Sequence, residues 1–200
     1  MILGLTGTVG SGKSTVARMI TELVGAPVID ADEISHQVQS PDGAAYAELI
    51  EHFGREILAP DGTIDRRKVA GLVFADRARL AELNAIMHPK VRAEELRLLD
   101  EYRHKPLVVF MVPLLFENGL DSLVDRVAVV VTKDEVRRER LKRRNSWSDS
   151  EISRRLTAQW PDDEKVRRAH FVIDNSGTLE ETREQVIRML RTLGMNFRMT

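Results

Sequence analysis

Two hundred residues, 42% hydrophobic and 30% charged, suffice for one domain with a sizeable core and a smaller subdomain or lid. Thirty basic against thirty-one acidic residues leave a formal net charge of −1, which excludes a global field drawing the chain to nucleic acid or an anionic membrane. The absence of cysteine excludes disulfides, thiolate zinc sites and cysteine nucleophiles, and fits a reducing compartment.

The apolar run Ile2-Leu3-Gly4-Leu5 predicts a buried first strand, and it leads into Gly7-Thr8-Val9-Gly10-Ser11-Gly12-Lys13-Ser14, followed by Thr15. This is the spacing G-x-x-x-x-G-K-[ST] in the context that spacing requires, because Val16, Ala17, Met19, Ile20 and Leu23 then recur at helical intervals. Glycines let the backbone N–H groups turn inward as an anion nest at the positive end of the following helix. A triphosphate suits that nest, with Lys13 reaching the β- and γ-phosphates and the Ser14 hydroxyl placed for Mg2+. The loop indicates a nucleotide but not a reaction.

The helix is expected to stop at Gly25, and Pro27-Val28-Ile29 reads as a second strand ending in Asp30-Ala31-Asp32. Acids at the carboxyl end of a parallel strand lie where open α/β sheets put their ligands. A continuing strand would show both acids on one face, whereas a helix starting at Ala31 would separate them and use Asp30 as its cap. For Asp32, catalysis or metal coordination is favoured over a plain first-turn acid because a phosphate loop lies one helix upstream.

From 34 to 102 the spacing predicts helices, through Tyr46, Leu49, Ile50 and Phe53, then Val69, Leu72, Val73 and Phe74, then Leu80, Leu83, Ile86 and Met87. Turns are expected at Pro41-Asp42-Gly43 and Pro60-Asp61-Gly62, and a helix break at His88-Pro89. In small kinases a helical insertion at this point forms the acceptor side of the cleft. Taken alone, His88 reads as a polar residue at a helix junction, and Arg66, Arg67 and Lys68 as a solvated face rather than contacts to an acidic substrate.

The run 107–112 predicts a strand buried on both faces, expected at the centre of the sheet. Pro113-Leu114-Leu115-Phe116-Glu117 follows it, either as core beneath a loop or as ligand-facing residues. A fourth strand is expected over 127–132, followed by a basic helix capped by Asp134. Arg140 and Arg144 share one face of that helix, as mobile cations closing over a γ-phosphate would. A solvated face ranks second and a nucleic-acid patch third, for want of aromatic stacking residues. Residues 152–169 read as helix interrupted near Trp160-Pro161, with Asp162 capping the restart. A fifth strand over 171–174, a turn at Asn175 and a closing helix over 179–193 complete the chain, with Asn175 either lining a base pocket or serving its turn alone. The apolar runs are strand-sized and no basic leader precedes them, so a soluble, cytoplasmic protein is expected.

Together these stretches resemble the dephospho-CoA kinase family. The resemblance is carried by Gly4-Leu5-Thr6-Gly7 running into Gly10-Ser11-Gly12-Lys13-Ser14-Thr15, by Val28-Ile29-Asp30-Ala31-Asp32, and by Gly62-Thr63-Ile64-Asp65-Arg66. It continues through His88-Pro89, Pro113-Leu114-Leu115-Phe116-Glu117, Arg140 with Arg144, Gln159 and Ile173-Asp174-Asn175. Many ATPases share the loop; the D-A-D, H-P and P-L-L-F-E set is the specific part.

The resemblance implies an α/β P-loop NTPase of three layers, α/β/α, with a five-stranded parallel sheet of nucleoside-monophosphate-kinase type. Its core would span 1–32, 105–134 and 170–200, its helical CoA-binding insertion about 33–104, and its lid about 135–169. The implied reaction moves the γ-phosphate of ATP to the ribose 3′-hydroxyl of dephospho-CoA, the last step of coenzyme A biosynthesis. Carried over, Asp32 looks like the general base, Lys13 like the γ-phosphate contact, Ser14 like the Mg2+ ligand, and Arg140 and Arg144 like lid cations. Gly10, Ser11, Gly12, Lys13, Ser14, Thr15 and Asn175 would bind ATP. On the dephospho-CoA side would be Thr8, Asp32, His88, Leu114, Leu115, Phe116 and Glu117. The implied partner is that small molecule, with neither nucleic acid nor membrane, on a monomer or weak homo-oligomer.

Two departures from the family's pattern stand out. Thr8-Val9 replaces the usual Gly-Ile and puts a side chain beside the loop, at an acceptor contact. Met111 replaces a common acid, losing any water-mediated metal contact from that strand. Competing readings are another small-molecule kinase of the same architecture, and a P-loop GTPase switch. The latter needs an N-K-x-D motif that the chain lacks, and the one D-x-x-G, 174–177, follows the fifth strand.

Overall fold

The computed structural model describes residues 1–73 and 76–195, so the expected helical position Phe74 lies outside the described residues. The chain forms two compact units, Met1–Ile29 with Glu101–Thr200, and Asp30–Asp100. In chain order the elements begin with β1 (Ile2–Thr6), α1 (Lys13–Val24) and β2 (Val28–Asp30). Helices α2 (Ala31–Gln37), α3 (Tyr46–Phe53), α4 (Arg66–Val73) and α5 (Arg77–Glu101) follow. The remainder comprises β3 (Val108–Met111), β4 (Arg126–Val131), α6 (Asp134–Asn145), α7 (Asp149–Thr157), α8 (Asp162–Arg168), β5 (Phe171–Asp174) and α9 (Leu179–Thr192).

The five strands lie in the order β2-β3-β1-β4-β5. β1 pairs in parallel with β3, from Ile2↔Val108 to Leu5↔Met111, and with β4, from Leu3↔Arg126 to Thr6↔Val129. β4 pairs in parallel with β5. The centre is therefore β1, not the 107–112 strand expected there. Apolar residues on both faces mark an interior strand, but they do not rank one interior strand against another. Leu3, Leu5, Val109, Met111, Ala128, Val130 and Ile173 form one buried cluster with Val16, Ile20 and Leu23 of α1 and Val186, Met189 and Leu190 of α9. Met111 is thus a core side chain.

Local chemistry sets the helix ends. Gly25, in the left-handed region, closes α1 with its N–H on the Thr21 carbonyl, 2.8 Å away. Thr178 and Glu181 form a reciprocal capping box at the start of α9. The two expected aspartate caps of the basic half do not form. Lys133 is the cap residue of α6, and Asp134, one residue inside, accepts from Arg138 Nε at 2.6 Å. Pro161 is the cap residue of α8, while the Asp162 carboxylate reaches elsewhere.

In the unit 30–100, Leu49, Phe53, Ile57, Val69, Ile86, Met87 and Leu99 are buried. The Pro60-Asp61-Gly62 turn joins an antiparallel bridge between Leu58 and Ile64. The break expected at Pro89 is absent, and α5 runs through it. Proline removes a single backbone donor, a cost that a long helix with buried residues on both sides of the ring can absorb. Among the described residues no helix is long and apolar enough to cross a membrane.

Candidate active site

The loop between β1 and α1 is folded against its own backbone and against side chains from three later elements. Lys13 Nζ donates to the carbonyls of Gly7, at 2.8 Å, and Thr8, at 3.3 Å, and Ser11 N–H closes a turn on Thr8 O at 3.1 Å. Gly12 has φ 99°, and a Cβ there would fall 2.0 Å from Asn175 Nδ2, so neither the backbone nor the space admits another residue. That same Cβ position lies 4.0 Å from Arg140 Nη1, which is buried and has no hydrogen-bond partner. An unpaired guanidinium N–H is costly to bury, and here it lies beside a glycine loop of the kind that receives anions. Ser11 Oγ is also buried without a partner. Ser14 and Thr15 lie in the first turn of α1, with Ser14 exposed.

Of the two expected lid cations, Arg140 lies beside Gly12 of the loop. Arg144 lies in the last turn of α6, exposed, with Nε donating to Asn145 Oδ1 at 2.8 Å. Asn175 arrives from the end of β5 as a buried side chain. Its Nδ2 donates to Ser11 O at 2.8 Å, and its Oδ1 accepts from Thr182 Oγ1 at 3.1 Å. The amide therefore holds the loop backbone. Thr8 is 3% exposed, and its hydroxyl donates to Asp162 Oδ1 at 3.0 Å.

The stretch after β3 divides between core and scaffold. Leu115 and Phe116 are buried, and Leu114 is half-buried. Glu117 Oε1 accepts from Trp160 N–H at 2.9 Å and pairs with Lys165 Nζ at 2.8 Å. Lys165 is fully buried and also donates to Pro113 O at 2.9 Å. Phe116 and Trp160 stack, with ring centroids 6.4 Å apart, and the Arg168 guanidinium lies 4.6 Å over the Trp160 ring.

In the unit 30–100, Asp30 caps α2 by accepting from Asp32 N–H at 3.0 Å. Burial pushes the Asp30 carboxyl up, the Asp32 N–H pulls it down, and the Asp32 charge adds to the rise. Asp32, in the first turn, keeps its carboxylate exposed and out of the cap. His88 is exposed on α5. Among the described residues no group of three or more His, Asp or Glu side chains gathers as a metal site.

Arg137, Gln159, Asp162 and Lys165 all touch the loop or its supports. The sequence pattern assigned none of them such a contact, because each partner is distant along the chain. A lone lysine on a short charged helix such as α8 reads as solvated, and its burial has no local signature.

The dephospho-CoA kinase family model matches residues 1–181. A dephospho-CoA kinase of Symbiobacterium thermophilum is 46% identical over 187 residues, covering 92% of this chain and 78% of the relative. Among solved structures, a Thermus thermophilus protein superposes with TM-score 0.83 at 35% identity, covering 96% of each chain. A dephospho-CoA kinase from Campylobacter jejuni does so with TM-score 0.72 at 25% identity, again covering 96% of each.

Proposed function

Because this chain belongs to the dephospho-CoA kinase family, and so phosphorylates dephospho-CoA with ATP in coenzyme A biosynthesis, we propose a division of labour among its residues for that reaction. The observation that carries it is the buried, unpartnered Arg140 Nη1 beside Gly12.

The loop N–H groups and Lys13 hold the β- and γ-phosphates, with Thr15 completing the first turn behind them. Arg140 meets the charge on the transferred group. Asp32 receives the proton of the ribose 3′-hydroxyl as its oxygen bonds to the γ-phosphorus and the bond to the bridging oxygen of ADP breaks. Support for Asp32 is the family resemblance and a carboxylate left out of the helix cap. Magnesium suits a site poor in protein carboxylates, because it keeps several waters and takes phosphate oxygens beside one or two protein ligands; Ser14 is the side chain here that would hold it. Bound there, the ion would neutralise phosphate charge. Water-soluble substrates and a chain without cysteine favour the cytoplasm as its compartment.

The test is ADP release from ATP and Mg2+ with and without dephospho-CoA, followed by phosphorus NMR of the product. Strong stimulation by the acceptor and a new phosphomonoester on the ribose 3′-oxygen are expected. A phosphate on any other oxygen would overturn the assignment. Arg140→Ala is expected to lower kcat about 10²-fold or more while changing ATP affinity far less, since its contact is strongest in the transition state. An unchanged kcat would return Arg140 to the solvated face of α6.

A further inference from the structure

The phosphate loop is gripped on its outer side by side chains that none of these roles requires. Gln159 Oε1 accepts the Val9 N–H at 2.8 Å, so that donor is spent on the protein rather than offered to a phosphate. Three residues on, Asp162 accepts the Thr8 hydroxyl at 3.0 Å through Oδ1 and pairs with Arg137 Nη2 through Oδ2. Arg137 is 7% exposed, and its Nη2 also donates to Thr132 O at 3.1 Å, just past the end of β4. Its stem lies against the loop as well, because a Cβ on Gly10 would fall 3.0 Å from Arg137 Cγ.

Gln159 and Asp162 flank Trp160-Pro161, within the connection from α7 to α8. That connection is itself anchored by Trp160 N–H on Glu117 Oε1 and by the buried Lys165. The chain of contacts therefore runs from the segment after β3 through α8 to the loop.

We infer that Gln159 and Asp162, with Thr8 and Arg137, are positioning residues that hold the phosphate loop in its nucleotide-binding shape, so that ATP affinity depends on where the α7–α8 connection sits. The physical basis is preorganisation. A glycine-rich loop has many conformations to lose, and a loop already fixed before the phosphates arrive spares the nucleotide that cost. Asp162 would repel a triphosphate if it stood alone, but the Arg137 guanidinium meets its charge. Thr8 also acquires a reason: the side chain that departs from the family's usual glycine is the one that supplies the hydroxyl to Asp162.

This inference rests on the loop's being the triphosphate site, and the experiment separates the two. KM for ATP, KM for dephospho-CoA, kcat and Tm are measured for Thr8→Val, Thr8→Ser, Gln159→Met, Asp162→Ala, the double variant Thr8→Val with Asp162→Ala, and Lys13→Ala. Thr8→Val and Gln159→Met are each expected to raise KM for ATP about tenfold, with kcat and acceptor KM within about twofold of wild type. Thr8→Ser should restore ATP affinity. In the Asp162→Ala background Thr8→Val should add no further loss, because its partner is already gone. The brace is overturned if Lys13→Ala weakens ATP binding as expected while Thr8→Val and Gln159→Met leave KM for ATP unchanged. It is equally overturned if Thr8→Val costs the same with and without Asp162. A Lys13→Ala variant that binds ATP like wild type would instead remove the phosphate-loop reading, and the brace with it.

Discussion

Replacing Asp32 with asparagine is expected to lower turnover by about 10²- to 10⁴-fold, the usual worth of general-base assistance, while ATP binds as before. The amide keeps the shape of the side chain and removes the proton acceptor. Asp30, two residues earlier, is a poor substitute, since its carboxylate is already engaged in capping α2 through the Asp32 N–H. Asp30→Asn should therefore leave most of the rate intact. Single-turnover kinetics at saturating ATP and dephospho-CoA separate these outcomes. Near-wild-type turnover in Asp32→Asn would reduce Asp32 to a first-turn acid favoured by the helix dipole.

The second large effect concerns stability. Lys165 has a fully buried side chain whose Nζ serves both Glu117 Oε1 and Pro113 O. Lys165→Met removes the cation and leaves a largely buried carboxylate uncompensated, beside a Glu117 Oε2 that already lacks a hydrogen-bond partner. Breaking such a pair from one side costs about 3–5 kcal/mol, whereas replacing both members with apolar groups of similar volume is often neutral. Urea denaturation at neutral pH should show the full loss in Lys165→Met and substantial recovery in Lys165→Met with Glu117→Leu. A loss below about 1 kcal/mol in the single variant would mean that the pair carries no net burden of burial. Because Lys165 also seats α8, the single variant should weaken ATP binding through Asp162.

The parts of the site legible in the sequence are those built from neighbours in the chain. The phosphate loop, the Gly25 stop and all five strands depend on a few consecutive residues and on apolar spacing, and the fold follows them; at Asp30 the sequence leaves strand and helix cap both open, and the structure has the cap. What could not be read depends on pairing at a distance. Thr8 and Asp162 are 154 positions apart, and Lys165 and Pro113 are 52 apart. No periodicity links such residues. The four-residue spacing of Arg140 and Arg144 rightly put them on one helix face, yet α6 ends at Asn145 and its last turn leaves Arg144 exposed. Helix spacing identifies a shared face but not how deeply each side chain along it is packed. Pro89 shows the converse: a strong local breaker, overridden within a long helix that buries residues on either side of it.

The strand order also bears on how the molecule is made. β1 precedes the other four strands in the chain yet occupies the middle of the sheet, and its partners begin only at Val108 and Arg126. A nascent chain must therefore carry an apolar strand with both edges open until the segment from Val108 onward has been synthesised. Closing such sequence-distant pairs is slow, and the waiting strand is a natural target for chaperones or, when these are scarce, for aggregation with other chains.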